Sequence, residues 1–135
     1  MEKAGYLQRT GCSAIDSNGD VQEVIELHIL GTRYAIRRSD LIRAVSGRVV
    51  VQVEELTRNW NYYLGATRGL AQVSASGKAL NVELFEAGNF TLSLASLRAV
   101  IYGKERLTRI VKIPEASSQR FHRIVEGQQK LGAAV

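Results

Sequence analysis

The 135-residue sequence is poor in the residues that covalent and metal chemistry use, with one cysteine, one proline and two histidines. Its single cysteine, Cys12, cannot form a disulfide within the chain, and no Cys/His spacing resembles a zinc site. No run of about 18 apolar residues is present, which predicts a chain that does not span a membrane. The first residues also lack the apolar core of a signal peptide. We therefore expect a cytoplasmic protein without a metal or another cofactor.

Motifs that carry catalysis are missing as well. The sequence has no Walker loop, no Gly-x-Gly-x-x-Gly opening a helix and no Gly-x-Ser-x-Gly elbow. Cys12 lies on an expected strand beside a hairpin, which favours a packing role over a nucleophile. Residues 16–20 lack the later bidentate Glu of a calcium loop, so a hairpin turn explains them better. An enzyme is the less favoured class, and it would use Glu26 or Glu83 in a small pocket between two halves of the chain.

What the sequence does contain is typical of a globular protein, with 45% hydrophobic and 23% charged residues. A chain of this length is most simply one domain, residues 1–135, that buries roughly two-thirds of its unfolded surface. Its net charge is +5, and 13 of its 18 basic residues are arginine. Arginine suits bidentate contacts with phosphate or carboxylate, so nucleic acid and acidic proteins are candidate partners.

Two halves of the chain repeat the same order of apolar runs and turns. Residues 24–31 read Val-Ile-Glu-Leu-His-Ile-Leu-Gly, and residues 82–88 read Val-Glu-Leu-Phe-Glu-Ala-Gly. Three turn glycines also recur, as Gly19 and Gly77, Gly31 and Gly88, and Gly47 and Gly103. The sequence therefore predicts an α+β, β-rich fold made of two tandem β-β-β-α-β repeats, residues 4–55 and 68–113, with a linker at residues 56–67.

Alternation and turn residues place the individual elements. The pair Asn18-Gly19 predicts a type I′ turn between strands at residues 5–15 and 21–30. On the second of these strands Ile25, Leu27 and Ile29 share one face. The glutamates at positions 26 and 83 are expected on the solvent faces of their strands. Further strands are expected at 34–36, 49–53, 68–75, 79–87, 90–93 and 107–113, and short helices at 40–45 and 95–101.

The repeats should bury their sheet faces against each other. We expect pseudo-twofold packing as a small barrel or as two facing sheets, because either arrangement satisfies the strand edges. A C-terminal helix is expected at residues 118–126, within a tail spanning residues 115–135.

Basic side chains concentrate around the first helix, at Arg33, Arg37, Arg38, Arg43 and Arg48. At a strand–helix junction, such side chains can hold phosphates with help from the helix N-terminus. One alternative is a solvated face whose charge is compensated by nearby carboxylates, and another is a contact with an acidic protein. The matching stretch of the second half carries Arg98, Lys104, Arg106 and Arg109.

Aromatic and polar residues alternate at residues 58–63. If exposed, Trp60 and Tyr62 would stack on bases or anchor a protein partner. If buried, Trp60 and Tyr63 would plug the sheet where the linker crosses it. Large aromatics between packed repeats favour the second arrangement.

The sequence thus favours a non-catalytic binding protein that contacts nucleic acid or another polyanion. The candidate contact residues are Arg33, Arg37, Arg38, Arg43, Arg58, Trp60 and Tyr62. The alternative is an oligomeric scaffold that binds a protein partner or a second copy of itself, through the C-terminal helix or an uncovered strand edge.

Overall fold

The computed structural model describes residues 2–114, so the expected C-terminal helix and tail lie outside the described residues. Within residues 2–114, nine strands and two helices follow one another: β1 (Lys3–Gln8), β2 (Ser13–Ile15), β3 (Val21–Ile29), β4 (Thr32–Arg37), α1 (Arg38–Gly47), β5 (Val51–Asn59), β6 (Asn61–Val73), β7 (Ala79–Leu84), β8 (Gly88–Ser93), α2 (Leu94–Ile101) and β9 (Leu107–Lys112).

Eight of the strands form a closed antiparallel barrel. Its order is β1-β9-β8-β7-β6-β5-β4-β3, and the pairing of β3 with β1 completes the circle. The short β2 is additional, and it pairs antiparallel with β3 and parallel with β6. The predicted β-rich fold and small barrel are therefore confirmed. The order β3-β4-α1-β5 recurs as β7-β8-α2-β9, but the twofold relation between the halves stays a prediction.

Alternate residues of the barrel strands form the main core. On β3, Ile25, Leu27 and Ile29 are at most 1% exposed and belong to this core, as their alternation predicted. Buried residues of both helices join the same cluster, among them Leu41 of α1 and Leu97 of α2. The two helices therefore complete the barrel interior and do not form a separate layer.

A second, smaller core lies on the opposite face of β3 and β4. It contains Val24 and Ala35 together with Ala14 of β2, Leu56 of β5 and Leu64 of β6. The expected linker, residues 56–67, consists instead of paired strands, because β5 and β6 continue as a hairpin to its tip. Packing of that hairpin against β3 and β4 helps to bury both faces of these strands.

The first hairpin has the predicted position but not the predicted turn. The Asp16 carboxylate oxygen Oδ1 accepts the N–H groups of Asn18 at 2.9 Å and Asp20 at 3.0 Å. Gly19 has a positive φ of 83°, whereas Asn18 does not have a positive φ. A type I′ turn needs positive φ at both central residues, so the side chain of Asp16 sets this turn instead.

Candidate functional site

Arg37, at the end of β4, is engaged by carboxylates inside the fold. Its Nε lies 2.9 Å from Oε1 of Glu54, and its Nη2 lies 3.3 Å from Oε2 of the same side chain. Its Nη1 is also 3.5 Å from Oδ2 of Asp16. The hydrogen bond to Glu54 raises the pKa of Arg37 above its ordinary value. Moving this guanidinium to a ligand phosphate would leave two buried carboxylates without their cation, which is costly.

Asp16 is held ionised by the same network. Burial acts to raise the pKa of this carboxyl group. Hydrogen bonds from the N–H groups of Asp20 and Asn18 act in the opposite direction. With the amide of Gln22 and the charge of Arg37, they hold the pKa of Asp16 below its ordinary value. The Asp16 carboxylate is therefore already occupied by hydrogen bonds and an ion pair within the protein.

Arg38, the first residue of α1, contacts the end of α2. Together with Arg9 it donates to the main-chain oxygen of Ile101, at 3.2 Å from Arg38 and 2.7 Å from Arg9. The carboxylate of Glu23 lies 3.2 Å from Arg9 and 3.6 Å from Arg38. Cations at a helix C-terminus offset the negative end of the helix dipole. The two arginines thus stabilise the end of α2.

Arg43 lies on α1 and is largely exposed. Its side chain is 66% exposed and pairs with Asp40, one helical turn away, at 3.1 Å. Such a pair contributes only about 0.3–0.5 kcal/mol and leaves the guanidinium accessible to solvent. Within residues 2–114, Arg43 has no hydrogen bond, ion pair or cation–π contact with Arg58 or Tyr62 of the hairpin.

Arg33, Arg58 and Tyr62 are the predicted site residues that the structure brings together. The guanidinium carbon of Arg58 is 5.4 Å from the Tyr62 ring centroid, and that of Arg33 is 6.0 Å away. Both distances are within the range of cation–π attraction. Arg33 also faces the carboxylate of Glu26 at 3.6 Å. Arg58, by contrast, has no carboxylate at ion-pair distance in the described part of the chain, so its charge is the more available one.

Trp60 forms the tip of the β5–β6 hairpin, between the paired Asn59 and Asn61. Its side chain is not a plug, since Trp60 is 96% exposed and Tyr63 is 38% exposed. Its backbone has a φ of 67°, in the left-handed region that bulky residues rarely adopt. Because residues 56–67 were expected to be a linker, a hairpin tip at Trp60 was not predicted.

The glutamates that recur in the two halves are buried, which corrects the expectation that they face solvent. Glu26 is 5% exposed and Glu83 is 6% exposed. Glu26 accepts a hydrogen bond from the Thr10 hydroxyl at 2.8 Å and lies 3.6 Å from His28. The His28 ring stacks on Tyr6, with 4.6 Å between their centroids. The catalytic hypothesis gains no support from Glu26, because protein groups already surround its carboxylate.

Cys12 packs beside the smaller core and is a poor nucleophile. Burial raises the pKa of its thiol, and the Glu26 carboxylate raises it further, against smaller opposing effects from two arginines. A protonated thiol reacts slowly, so the arrangement fits the packing role that the sequence favours.

A second basic surface lies around α2 and β9, and its members were not among the predicted site residues. Within residues 2–114, none of them has a carboxylate at ion-pair distance. The signal in the sequence was a shortage of acidic residues, since Glu105 is the only one between residues 98 and 112. This surface comprises the exposed side chains of Arg98, Lys104, Arg106 and Arg109.

Three further findings bear on function. No helix in the described part of the chain is long and apolar enough to cross a membrane. Among residues 2–114 there is no group of three or more His, Cys, Asp or Glu side chains arranged to hold a metal ion. Comparison of the chain with protein-family models, with curated proteins and with solved structures found no match.

Proposed function

We propose that this chain is a non-catalytic binding protein that holds single-stranded nucleic acid at the tip of the β5–β6 hairpin. Trp60 stacks on an unpaired base, and Arg58 binds a neighbouring phosphate. Tyr62, whose ring lies within about 6 Å of the Arg33 and Arg58 guanidiniums, forms the base of the site. The observation that carries the proposal is the position of Trp60, which is 96% exposed at the end of a two-stranded arm.

Neither the backbone conformation nor the exposure of Trp60 stabilises the free protein. A left-handed backbone costs a bulky residue about 1–2 kcal/mol, which glycine would avoid. Burying an aromatic side chain removes roughly 150–250 Å² from water, worth about 4–6 kcal/mol before opposing effects. Trp60 gains almost none of this energy in the free protein. A partner that covers the ring would recover it, and base–aromatic stacking contributes about 1–3 kcal/mol per base.

The charge around the tip favours a polyanion. Residues 56–67 contain Arg58 and no acidic residue. The next arginine along β6, Arg68, is neutralised by Glu55 at 2.6 Å, which leaves Arg58 as the open cation of the arm. An intact duplex offers no unstacked base to the Trp60 ring, so single strands suit this tip better.

The fluorescence of Trp60 tests the stacking directly, because it is the only tryptophan in the chain. In the free protein its emission should be that of a solvent-exposed indole and should be readily quenched by acrylamide. A single-stranded oligonucleotide at low salt should quench the emission and protect the ring from acrylamide, and the matching duplex should do so weakly. Unchanged emission and unchanged acrylamide quenching with both RNA and DNA would exclude stacking.

Matched arginine variants test the phosphate contact. Arg58→Gln should weaken binding and reduce the slope of log affinity against log salt by about 1, because one phosphate contact is lost. Trp60→Ala should weaken binding by roughly fivefold to a hundredfold. Arg43→Gln removes an exposed arginine outside the hairpin and should change neither quantity. Equal losses from the two arginine variants, measured by fluorescence anisotropy, would contradict a site at the hairpin.

Self-association through the same tip is the second candidate function. Tryptophan and arginine dominate the residues that anchor protein–protein contacts, and Trp60 lies two residues from Arg58. The predicted route through a strand edge is limited to short stretches, because each of the eight barrel strands pairs with a neighbour on both sides over at least part of its length. In this case light scattering should show a concentration-dependent dimer that Trp60→Ala converts to monomer. A strict monomer at high concentration would exclude it.

A further inference from the structure

Two neighbouring strand pairs of the barrel are joined at only two positions each. β4 meets β5 at Ala35–Glu54 and at one adjacent pair. β8 meets β9 at Thr91–Val111 and at one adjacent pair. A helix connects the two strands in both cases, α1 in the first and α2 in the second. We call the lines between these strands the first seam and the second seam.

The first seam is filled by the chain itself, whereas the second is open. Arg37, the last residue of β4, forms the two-pronged contact with Glu54 across the first seam. The corresponding residues of the second seam are Ser93, the last residue of β8, and Val111 of β9. These shorter side chains border a cavity of about 360 Å³.

The cavity continues between α2 and β9 as a groove. A second hollow of about 550 Å³ shares Ser96, Thr108 and Arg109 with the first. Its helical wall carries only small side chains, since Ala95 and Ala99 flank Ser96. The opposite wall is β9. Small residues on the helix leave room for a further chain beside the strand.

The groove exposes an unpaired strand edge. Residues 107–110 of β9 pair with β1 on one side. On the side that faces the groove, these four residues have no strand partner among residues 2–114. Unpaired N–H and C=O groups at a strand edge are a template for pairing with another extended chain.

The charge of the groove is positive. Arg109 lines both hollows and has no carboxylate at ion-pair distance in the described part of the chain, whereas Arg37 of the first seam has two. Lys104 and Arg106 lie in the loop that leads into β9, and Glu105 is the single acidic group that lines the groove. A ligand that fits would therefore supply the carboxylate that the second seam lacks.

We propose that the groove between α2 and β9 binds an extended acidic peptide as an added strand paired with residues 107–110, with Arg109 binding one of its carboxylates. This site is separate from the hairpin tip, and it does not depend on the nucleic-acid proposal. Main-chain pairing supplies affinity, and the Arg109 contact selects for an acidic side chain. A nucleic acid lacks the alternating main-chain donors and acceptors that the edge of β9 would pair with, so a peptide is the better match.

The test uses a fluorescein-labelled peptide of about eight residues in which glutamate alternates with valine, a typical strand length. Fluorescence anisotropy with the full chain should show saturable binding. A peptide with glutamine in place of glutamate should bind roughly tenfold or more weakly, because the charge-assisted contact is lost. A peptide N-methylated at alternate residues keeps the charge but loses its strand donors, and it should bind no better than the glutamine peptide.

Protein variants locate the site. Arg109→Gln should weaken binding of the glutamate peptide roughly tenfold or more. Arg98→Gln removes an exposed arginine of α2 that does not line the groove, and Trp60→Ala removes the hairpin contact. Both of these variants should bind the peptide as the parent chain does.

Several results would overturn the proposal. Absence of binding at low salt would do so, as would equal binding of the N-methylated peptide, which would indicate charge attraction without strand pairing. Equal losses in Arg109→Gln and Arg98→Gln would place the contact elsewhere. If Arg109→Gln weakens oligonucleotide binding while the peptide does not bind, the groove recognises nucleic acid and the peptide proposal is wrong.

Discussion

The arginines around α1 and the basic residues around α2 and β9 differ in what already neutralises them. Arg37 faces two carboxylates, and Arg38 lies against Glu23 and a helix C-terminus. Around α2 and β9, Arg106 and Arg109 are exposed and unpaired within residues 2–114. The denser cluster in the sequence is therefore the less available one in the fold.

This difference shows that a count of basic residues does not measure the charge offered to a ligand. Two of the five predicted arginines serve mainly to hold elements of the barrel together. Only Arg58 combines exposure, an aromatic neighbour and freedom from carboxylates among the described residues. Substitutions on each of the two surfaces test this difference.

The largest effect should come from breaking the ion pair of the first seam. Arg37→Ala leaves Glu54 and Asp16 buried without their cation, so we expect a loss of about 2–3 kcal/mol in the free energy of unfolding. Urea denaturation measures the loss. Arg106→Ala is the matched variant on the other surface and should change stability by less than about 0.5 kcal/mol. Similar losses in both variants would erase the distinction between the two surfaces.

Low pH should reduce the stability of the fold by protonating Asp16. Its pKa is lowered in the folded state, so its contribution is fully present above its unfolded pKa of about 3.9 and is lost as pH falls through the folded pKa. Asp16→Asn removes this dependence but also loses a charged acceptor. The difference in melting temperature between the parent chain and Asp16→Asn should therefore shrink as pH is lowered from about 6 toward 3. A constant difference would mean that Asp16 titrates normally.

A smaller effect is expected at the end of α2. Arg9→Gln removes the 2.7 Å hydrogen bond to the Ile101 carbonyl and the contact with Glu23. We expect a loss of about 1 kcal/mol, because Arg38 still donates to the same oxygen. Thermal unfolding of Arg9→Gln, Arg38→Gln and the double variant should show a loss in the double variant that exceeds the sum of the two single losses. Strictly additive losses would indicate that the arginines do not share this role.

The smallest effect should be at Arg43. Its exposed pair with Asp40 predicts a loss of at most about 0.5 kcal/mol in Arg43→Ala. That loss should disappear in high salt, because exposed pairs are screened. A larger, salt-resistant loss would show that Arg43 belongs with the buried pairs.

The strands of the barrel were predictable because their signals are local. Alternating apolar residues such as Ile25, Leu27 and Ile29 fix one face of β3, and a β-branched run marks the start of β5. The ion pairs were not predictable. Arg37 meets a carboxylate 17 residues away and another 21 residues away, and such distances depend on strand register, which local patterns do not fix.

The candidate site was predictable in composition but not in geometry. Arg58, Trp60 and Tyr62 were identified, yet the hairpin that carries them was taken for a linker. Turn positions with a positive φ usually carry glycine or asparagine. Tryptophan is unusual there, so the sequence around Trp60 did not indicate a turn. The burial of Glu26 was not predicted for a related reason. The smaller core over β3 forms only when this hairpin packs against β3 and β4.

The placement of β1 between β3 and β9 decides when the barrel can close during synthesis. On one side, β1 pairs with the distant strand β9, where Lys3 meets Val111. On its other side, β1 pairs with β3, which is much closer in the sequence. When α2 has emerged from the ribosome, β9 has not yet been released. One edge of β1 therefore stays unpaired until β9 emerges. We expect folding of this chain to complete only after β9 emerges, at the slow rates of proteins dominated by distant contacts.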